Sequence, residues 1–238
     1  MKKLIPALLL TLAALPAFAD GNDAAIRKLF EEKLHGKIEQ INKAPIGGLY
    51  EVVADGQIVY IDEKATYFIA GNLVETKNMK NLTAEKKAQL SDKKLAQLPY
   101  DQAVKQVRGD GSRVLVTFED PNCGYCKKLA NELKQVSNVT IYTFLIPILS
   151  EDSADKSKAI WCAGDRAKSW SDWMTAGVIP VAATGAKCEA GLVLDKNLKL
   201  STSLGVRGTP FLYFPATKQQ VGGYVSAAEI EKALAGGG

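Results

Sequence analysis

The stretch Val114-Leu115-Val116-Thr117-Phe118-Glu119-Asp120-Pro121-Asn122-Cys123-Gly124-Tyr125-Cys126 joins a near-continuous apolar run to a close pair of cysteines. A run such as Val114 to Phe118 suits a central strand buried on both faces. Past the motif, Leu129, Ala130, Leu133 and Val136 recur at helical spacing, and Val139 to Ile146 is again apolar. Together these predict a strand, helix, strand unit whose helix begins at the cysteines. At such a helix start, unpaired backbone N–H groups and the positive end of the dipole favour a thiolate, an effect that fades within one turn. Cys123 is therefore expected to be the nucleophile. Cys126, one turn deeper, is expected to attack the mixed disulfide and release the substrate, with Gly124 and Tyr125 as the active-site loop between them.

Other uses of the pair fit less well. A four-cysteine zinc site usually needs two close pairs, and Cys162 and Cys188 are widely separated, so no metal is expected. A structural disulfide within Cys123-Gly124-Tyr125-Cys126 would close too small a loop to restrict the unfolded chain much. The first 19 residues carry Lys2 and Lys3, an apolar run from Leu4 to Leu15 interrupted by Pro6, and Ala17-Phe18-Ala19. That is the pattern of an export signal cleaved after Ala19, and the run is too short to span a bilayer. In an oxidising compartment Cys162 and Cys188 are expected to form a structural disulfide stapling an irregular helical insertion, with Cys162 inside a helix beginning near Asp155. The 238 residues are 47% hydrophobic and 24% charged, which excludes a disordered or collagen-like chain. The formal charge of +4 drops by two when Lys2 and Lys3 leave, giving no case for nucleic acid or an acidic membrane as partner, and with no later apolar stretch of spanning length no stable membrane insertion is expected.

Upstream, Asn22 or Asp23 offers an N-cap to an amphipathic helix carrying Ile26, Leu29, Phe30 and Leu34 and stopping near Gly36. Leu49 to Ala54, Gln57 to Ile61 and Thr66 to Ala70 read as strands, the first two joined by Asp55-Gly56. This small β-rich module has no cysteine, so association through a sheet edge at Ile69 to Val74 and packing on the rest of the chain are alternative sources of its stability. Thr83 to Leu98 reads as a polar helix capped by Thr83 and bridging domains through solvent. Ala103 to Val107 is expected to be an edge strand. Phe211 to Phe214 and Gln219 to Tyr224 should pair antiparallel before a helix capped by Ser226. His35 reads as a surface residue at a helix end. Glu119 and Asp120 are candidate proton acceptors for Cys126, but an acid at a strand end is more often solvated, so they stay outside the expected catalytic set. Trp161, Trp170 and Trp173 are read as packing.

With Phe118-Glu119-Asp120, Cys-Gly-Tyr-Cys, Lys158-Ala159-Ile160-Trp161-Cys162, Leu204-Gly205-Val206 and Gly208-Thr209-Pro210, and near the front Asp23-Ala24-Ala25-Ile26 and Ala44-Pro45, the chain resembles the DsbC family of exported disulfide isomerases over nearly its whole mature length. The resemblance implies a mixed α+β and α/β chain. A signal peptide at 1–19 precedes a cystatin-like dimerisation domain at 20–80, a linker helix and connection at 81–108, and a thioredoxin fold with helical insertion at 109–238. It implies that Pro210 is a cis-proline against the active-site pair, that Thr209 pairs with substrate through its backbone, and that Gly71 and its strand lie at the interface of a V-shaped homodimer. Further implications are a periplasmic location, misfolded exported proteins as clients, a DsbD-like membrane thiol reductase as partner, and no bound cofactor. Pro121-Asn122 depart from the family pattern before the first cysteine. Two other activities compete with isomerisation: a dithiol oxidase donating its disulfide, and a holdase chaperone with secondary thiols.

Overall fold

The computed structural model describes residues 21–184 and 188–236, so the expected signal segment and its cleavage after Ala19 lie outside the described residues. The chain divides into two compact units. One ends at Ala54 and takes in Val59–Ala70; the other comprises Asp55–Ile58 and everything from Gly71 onward.

The first unit starts with α1 (Gly21–Leu29), which runs on through a π turn at Phe30–Leu34 and stops where His35 turns left-handed at φ 51°. Strands β1 (Ile38–Lys43), β2 (Leu49–Ala54), β3 (Gln57–Asp62) and β4 (Phe68–Ile69) form an antiparallel sheet in chain order. Asp55 and Gly56 both have positive φ, 48° and 74°, as a two-residue turn matched to strand twist requires. Ile26 and Phe30 pack with Tyr50, Val52, Ala54 and Ile61 as this unit's core. β1 was not foreseen because Ile-Glu-Gln-Ile-Asn-Lys has only two apolar residues and no clean alternation. The expected strand Thr66 to Ala70 shrinks to Phe68–Ile69, because the carboxylate of Asp62 gathers the N–H groups of Lys64, Thr66 and Tyr67 (3.2, 2.8 and 2.6 Å) into a turn. Gly71 is in a bend, not in a strand, so the sheet edge ends before it.

The second unit opens with the short pair β5 (Val74–Glu75) and β6 (Lys80–Asn81), then α2 (Leu82–Leu95). Asn81, not Thr83, caps α2: its side chain accepts the N–H of Ala84 at 2.9 Å, while the Thr83 hydroxyl is buried accepting the N–H of Leu73. The far end of this polar helix is not solvated, since Leu95 and Leu98 sink into a cluster with Val116, Phe118 and Phe144. Next come β7 (Val104–Arg108), β8 (Arg113–Glu119), α3 (Gly124–Glu132), β9 (Val139–Leu145), α4 (Glu151–Trp161), α5 (Arg166–Ala176), α6 (Ala190–Ser203), β10 (Phe211–Phe214), β11 (Gln219–Gly222) and α7 (Ala227–Leu234). The five-stranded sheet has the order β11-β10-β8-β9-β7, with β8 parallel to β9 and the remaining pairs antiparallel. β7 is thus an edge strand of this sheet rather than part of the connection before it.

The central position of β8 explains its apolar run: Leu115 faces Leu129, Leu133 and Ile230 in one cluster, and Val116 and Phe118 face Phe144 and Tyr213 in another. Burying a side chain of this size stabilises by about 2 kcal/mol. Ser226 caps α7 in a reciprocal capping box with Glu229. α4 starts at Glu151, with Ser150 as its cap, because the Ser150 hydroxyl accepts the N–H of Ser153. Cys162 is consequently the C-cap of α4 rather than an interior residue, and it is joined to Cys188 with a Cα–Cα distance of 5.7 Å.

Candidate active site

β8 delivers the chain to Asp120-Pro121-Asn122, and α3 begins at once with Cys123 as its N-cap. Cys123 is a cap because its Sγ accepts the N–H of Cys126, at 3.4 Å. Its own S–H points at the Thr209 carbonyl, 3.2 Å away, and the Thr209–Pro210 bond is cis. The structure thus brings Cys123, Cys126, Thr209 and Pro210 together, with both thiols free. Cys123 is 6% exposed, more enclosed than an open helix start would be, because the Thr209 loop lies over it. Tyr125, at 60% exposure, stands out into solvent beside it. Gly71 lies in the bend described above, and His35 is exposed at the end of the first helix.

Cys126 is fully buried, and its thiol is pushed far up, first by desolvation and then by the nearby Glu119 carboxylate. Glu119, expected to be solvated, is 1% exposed, because β8 runs one residue past Phe118 and turns this side chain inward. Desolvation raises its carboxyl to about 7, against which hydrogen bonds with Thr117 and Cys126 act. Its Oε2 has no protein hydrogen-bond partner.

Asp120 is also buried rather than solvated, but it is fully satisfied. Oδ1 accepts the N–H of Asn122 and the hydroxyl of Ser153, both at 2.8 Å, and Oδ2 accepts the N–H groups of Ile148 and Leu149 at 2.8 and 3.0 Å. One carboxylate thereby ties the approach to Cys123 to the loop after β9 and to the start of α4. Trp173 is more than packing: its Nε1 donates to the Pro121 carbonyl at 2.6 Å, and the Lys127 and Lys156 ammonium groups lie 4.2 and 4.8 Å from its ring centre. Glu119 was visible as an acid continuing a buried strand without a turn. The roles of Asp120 and Trp173 depend on segments dozens of residues away and left no local signal.

The cysteine pair, the disulfide Cys162–Cys188 and the insertion helices share a single hydrophobic cluster with Trp161, Trp170 and Met174. This arrangement suits thiol–disulfide exchange: an enclosed sulfur at a helix start, a second sulfur one turn behind it, and the cis-proline segment laid against the first.

Comparison with known proteins agrees. Residues 100–237 match the family described as Thioredoxin-like domain, and residues 17–84 match Disulfide bond isomerase protein N-terminal domain. A probable thiol:disulfide interchange protein DsbC of Bordetella pertussis is 43% identical over 205 residues, covering 86% of this chain and 70% of that protein. The thiol:disulfide interchange protein DsbC of Escherichia coli is 28% identical over 228 residues, covering 94% and 92%. The crystal structure of a disulfide interchange protein from Neisseria gonorrhoeae superimposes with a TM-score of 0.53 at 35% identity, over 58% of this chain and 96% of that one. The chain therefore belongs to the DsbC family of thiol:disulfide interchange proteins, with a thioredoxin-like domain behind a DsbC-type N-terminal domain.

Proposed function

We propose that this protein is a periplasmic disulfide isomerase and reductase that rearranges incorrect disulfides in misfolded exported proteins. The observation that carries the reading is Cys123 as helix cap, its sulfur against the carbonyl of Thr209 beside cis-Pro210, with Cys126 sealed one turn behind. The Cys123 thiolate attacks a client disulfide, forms a mixed disulfide and expels one client thiolate. A client thiol then displaces Cys123, which completes isomerisation, or Cys126 does so, which completes reduction. The second route requires Cys126 to lose a proton that burial holds tightly, and Glu119 is the carboxylate beside it that accepts it. An extended client segment is held against the backbone at Thr209, beside the attacking sulfur.

The N-terminal unit supports dimerisation. Tyr67, Phe68 and Ile69 are exposed at 77%, 50% and 53% along the free edge of its sheet, and an unprotected apolar edge is a template for a second strand. Pairing of two copies would set two redox centres toward one client, and a DsbD-like membrane reductase would return Cys123 and Cys126 to thiols.

Refolding of a scrambled multi-disulfide substrate tests the reading. Cys123→Ala is expected to abolish rescue, and Cys126→Ala to accumulate covalent enzyme–client complex. Full rescue by Cys123→Ala would leave only a chaperone, and rescue dependent on the oxidised enzyme would make it an oxidase.

A further inference from the structure

The chain enters α3 through a turn in which the N–H of Cys123 donates to the Asp120 carbonyl at 3.1 Å, with Pro121 and Asn122 at the two central positions. These two residues do not decide the kind of turn. Proline at the first central position suits type I and type II alike, and asparagine is one of the few residues that accept the positive φ that type II requires at the second. The two forms differ by reversal of the peptide group between Pro121 and Asn122. Asn122 does not have positive φ, so the turn is held in the type I sense. The decision comes from outside the turn. A peptide group is planar and stiff, so contacts to its oxygen and to its hydrogen fix its plane. Nε1 of Trp173, on α5, donates to the Pro121 carbonyl at 2.6 Å, and Asp120 Oδ1 accepts the N–H of Asn122 at 2.8 Å. Reversal would break both bonds and turn a carbonyl toward the Asp120 carboxylate. The indole also reaches past the cysteines, because the ammonium of Lys127, the residue after Cys126, lies 4.2 Å from its ring centre. One side chain thus holds the chain on both flanks of Cys123-Gly124-Tyr125-Cys126. Between those flanks, the cap at Cys123 is a single contact of 3.4 Å from the Cys126 N–H to Sγ, of a kind that weakens steeply when its angle is disturbed.

We propose that Trp173 is a positioning residue for the attack by Cys123: it holds the Pro121–Asn122 peptide in the type I sense and so keeps the sulfur aligned with the N–H at the start of α3 that stabilises its thiolate. The inference rests on Cys123 being the nucleophile, as given above. The indole touches no reacting atom and acts only through the backbone on either side of the motif. When its N–H is removed, the Pro121 carbonyl loses its partner, an asparagine tolerant of both turns follows it, and the sulfur two residues on loses the fixed frame of its cap. The thiolate is then less well stabilised and the thiol holds its proton to higher pH. The charged groups gathered at this turn are Asp120, Asp152 and Lys156 of α4, and Lys127 and Lys128 of α3, with the thiol of Cys126 behind the sulfur. None of them is altered by the substitutions that test the role of the indole.

The test reads the Cys123 thiolate of the reduced protein, as the pH dependence of its alkylation by iodoacetamide and of its attack on a chromogenic aryl disulfide, from pH 4 to 9. Trp173→Phe keeps an aromatic ring for the two ammonium groups and removes only the donor. It is expected to move the midpoint of both profiles up by about half a pH unit or more, so that attack slows about threefold on the acid side and converges on wild type at the alkaline end. Asn122→Thr has a β-branched side chain that bars the positive φ of the reversed turn. Alone it is expected to leave the midpoint in place, and added to Trp173→Phe it is expected to restore it. Asn122→Gly frees that φ without touching α5 and is expected to shift the midpoint in the same direction as Trp173→Phe; it carries the test alone if Trp173→Phe does not fold. An indole that merely packs would lower urea stability while the profiles superimpose on wild type and Asn122→Thr rescues nothing, and that result overturns the proposal. A wild type whose Cys123 neither alkylates nor attacks the aryl disulfide overturns the reading of Cys123 as nucleophile, and with it this one.

Discussion

Replacing Glu119 with glutamine makes the burial of this carboxyl measurable. A carboxyl held at about 7 instead of the ordinary 4.5 is harder to ionise in the folded protein than in the unfolded chain by about 3 kcal/mol, at about 1.4 kcal/mol per tenfold. Between those two pH values the folded state binds more protons than the unfolded one, so this group's contribution to stability is fully present below 4.5 and is lost as pH rises through 7. Glutamine does not titrate. The stability of Glu119→Gln minus that of wild type is therefore expected to grow by about 3 kcal/mol from pH 4.5 to pH 8, whatever constant offset the amide brings, because the other titrating groups cancel in the difference. Urea unfolding of the reduced proteins, followed by tryptophan fluorescence at several pH values, measures this directly. A difference that stays flat within about 0.5 kcal/mol would refute both the burial argument and the role of Glu119 as acceptor for Cys126.

Asp120→Ala strips the partner from the N–H groups of Ile148, Leu149 and Asn122 at once, and is expected to lower urea stability by about 3 kcal/mol and to slow the attack by Cys123. Asp120→Asn should restore part of both. Replacing Cys162 and Cys188 together with alanine opens a loop of sequence separation 26; it is expected to cost about 3 kcal/mol in chemical denaturation while reduction of a small disulfide persists. Phe68→Glu places a charge on the exposed edge of the first unit's sheet and is expected to convert a dimer to monomers by light scattering, with isomerisation lost and simple reduction retained.

The core of the second unit was legible because its signals are local. The run Val114 to Phe118 is apolar because β8 is central and covered on both faces, and the helical stripe from Leu129 to Val136 packs directly beneath it. The Ser226 cap and the Asp55-Gly56 turn are equally short-range. What escaped depends on distance. Asn81 displaced Thr83 as cap because Leu73 claimed the Thr83 hydroxyl. Asp120 and Glu119 are acids of adjacent position and similar chemistry, and their burial follows from the loop after β9 and from the packing of α5 and β7. Periodicity carries no information about Asp120, whereas Glu119 continues the apolar run of β8 without a turn.

The bridge Cys162–Cys188 rests on the same cluster as the two free thiols. A protein whose trade is cutting sulfur–sulfur bonds thus keeps one of its own within the same compartment as the blade. Order among Trp161, Trp170 and Met174 is therefore expected to keep blade and bridge apart, and a core loosened by heat or mutation to scramble its own cysteines before the fold is lost.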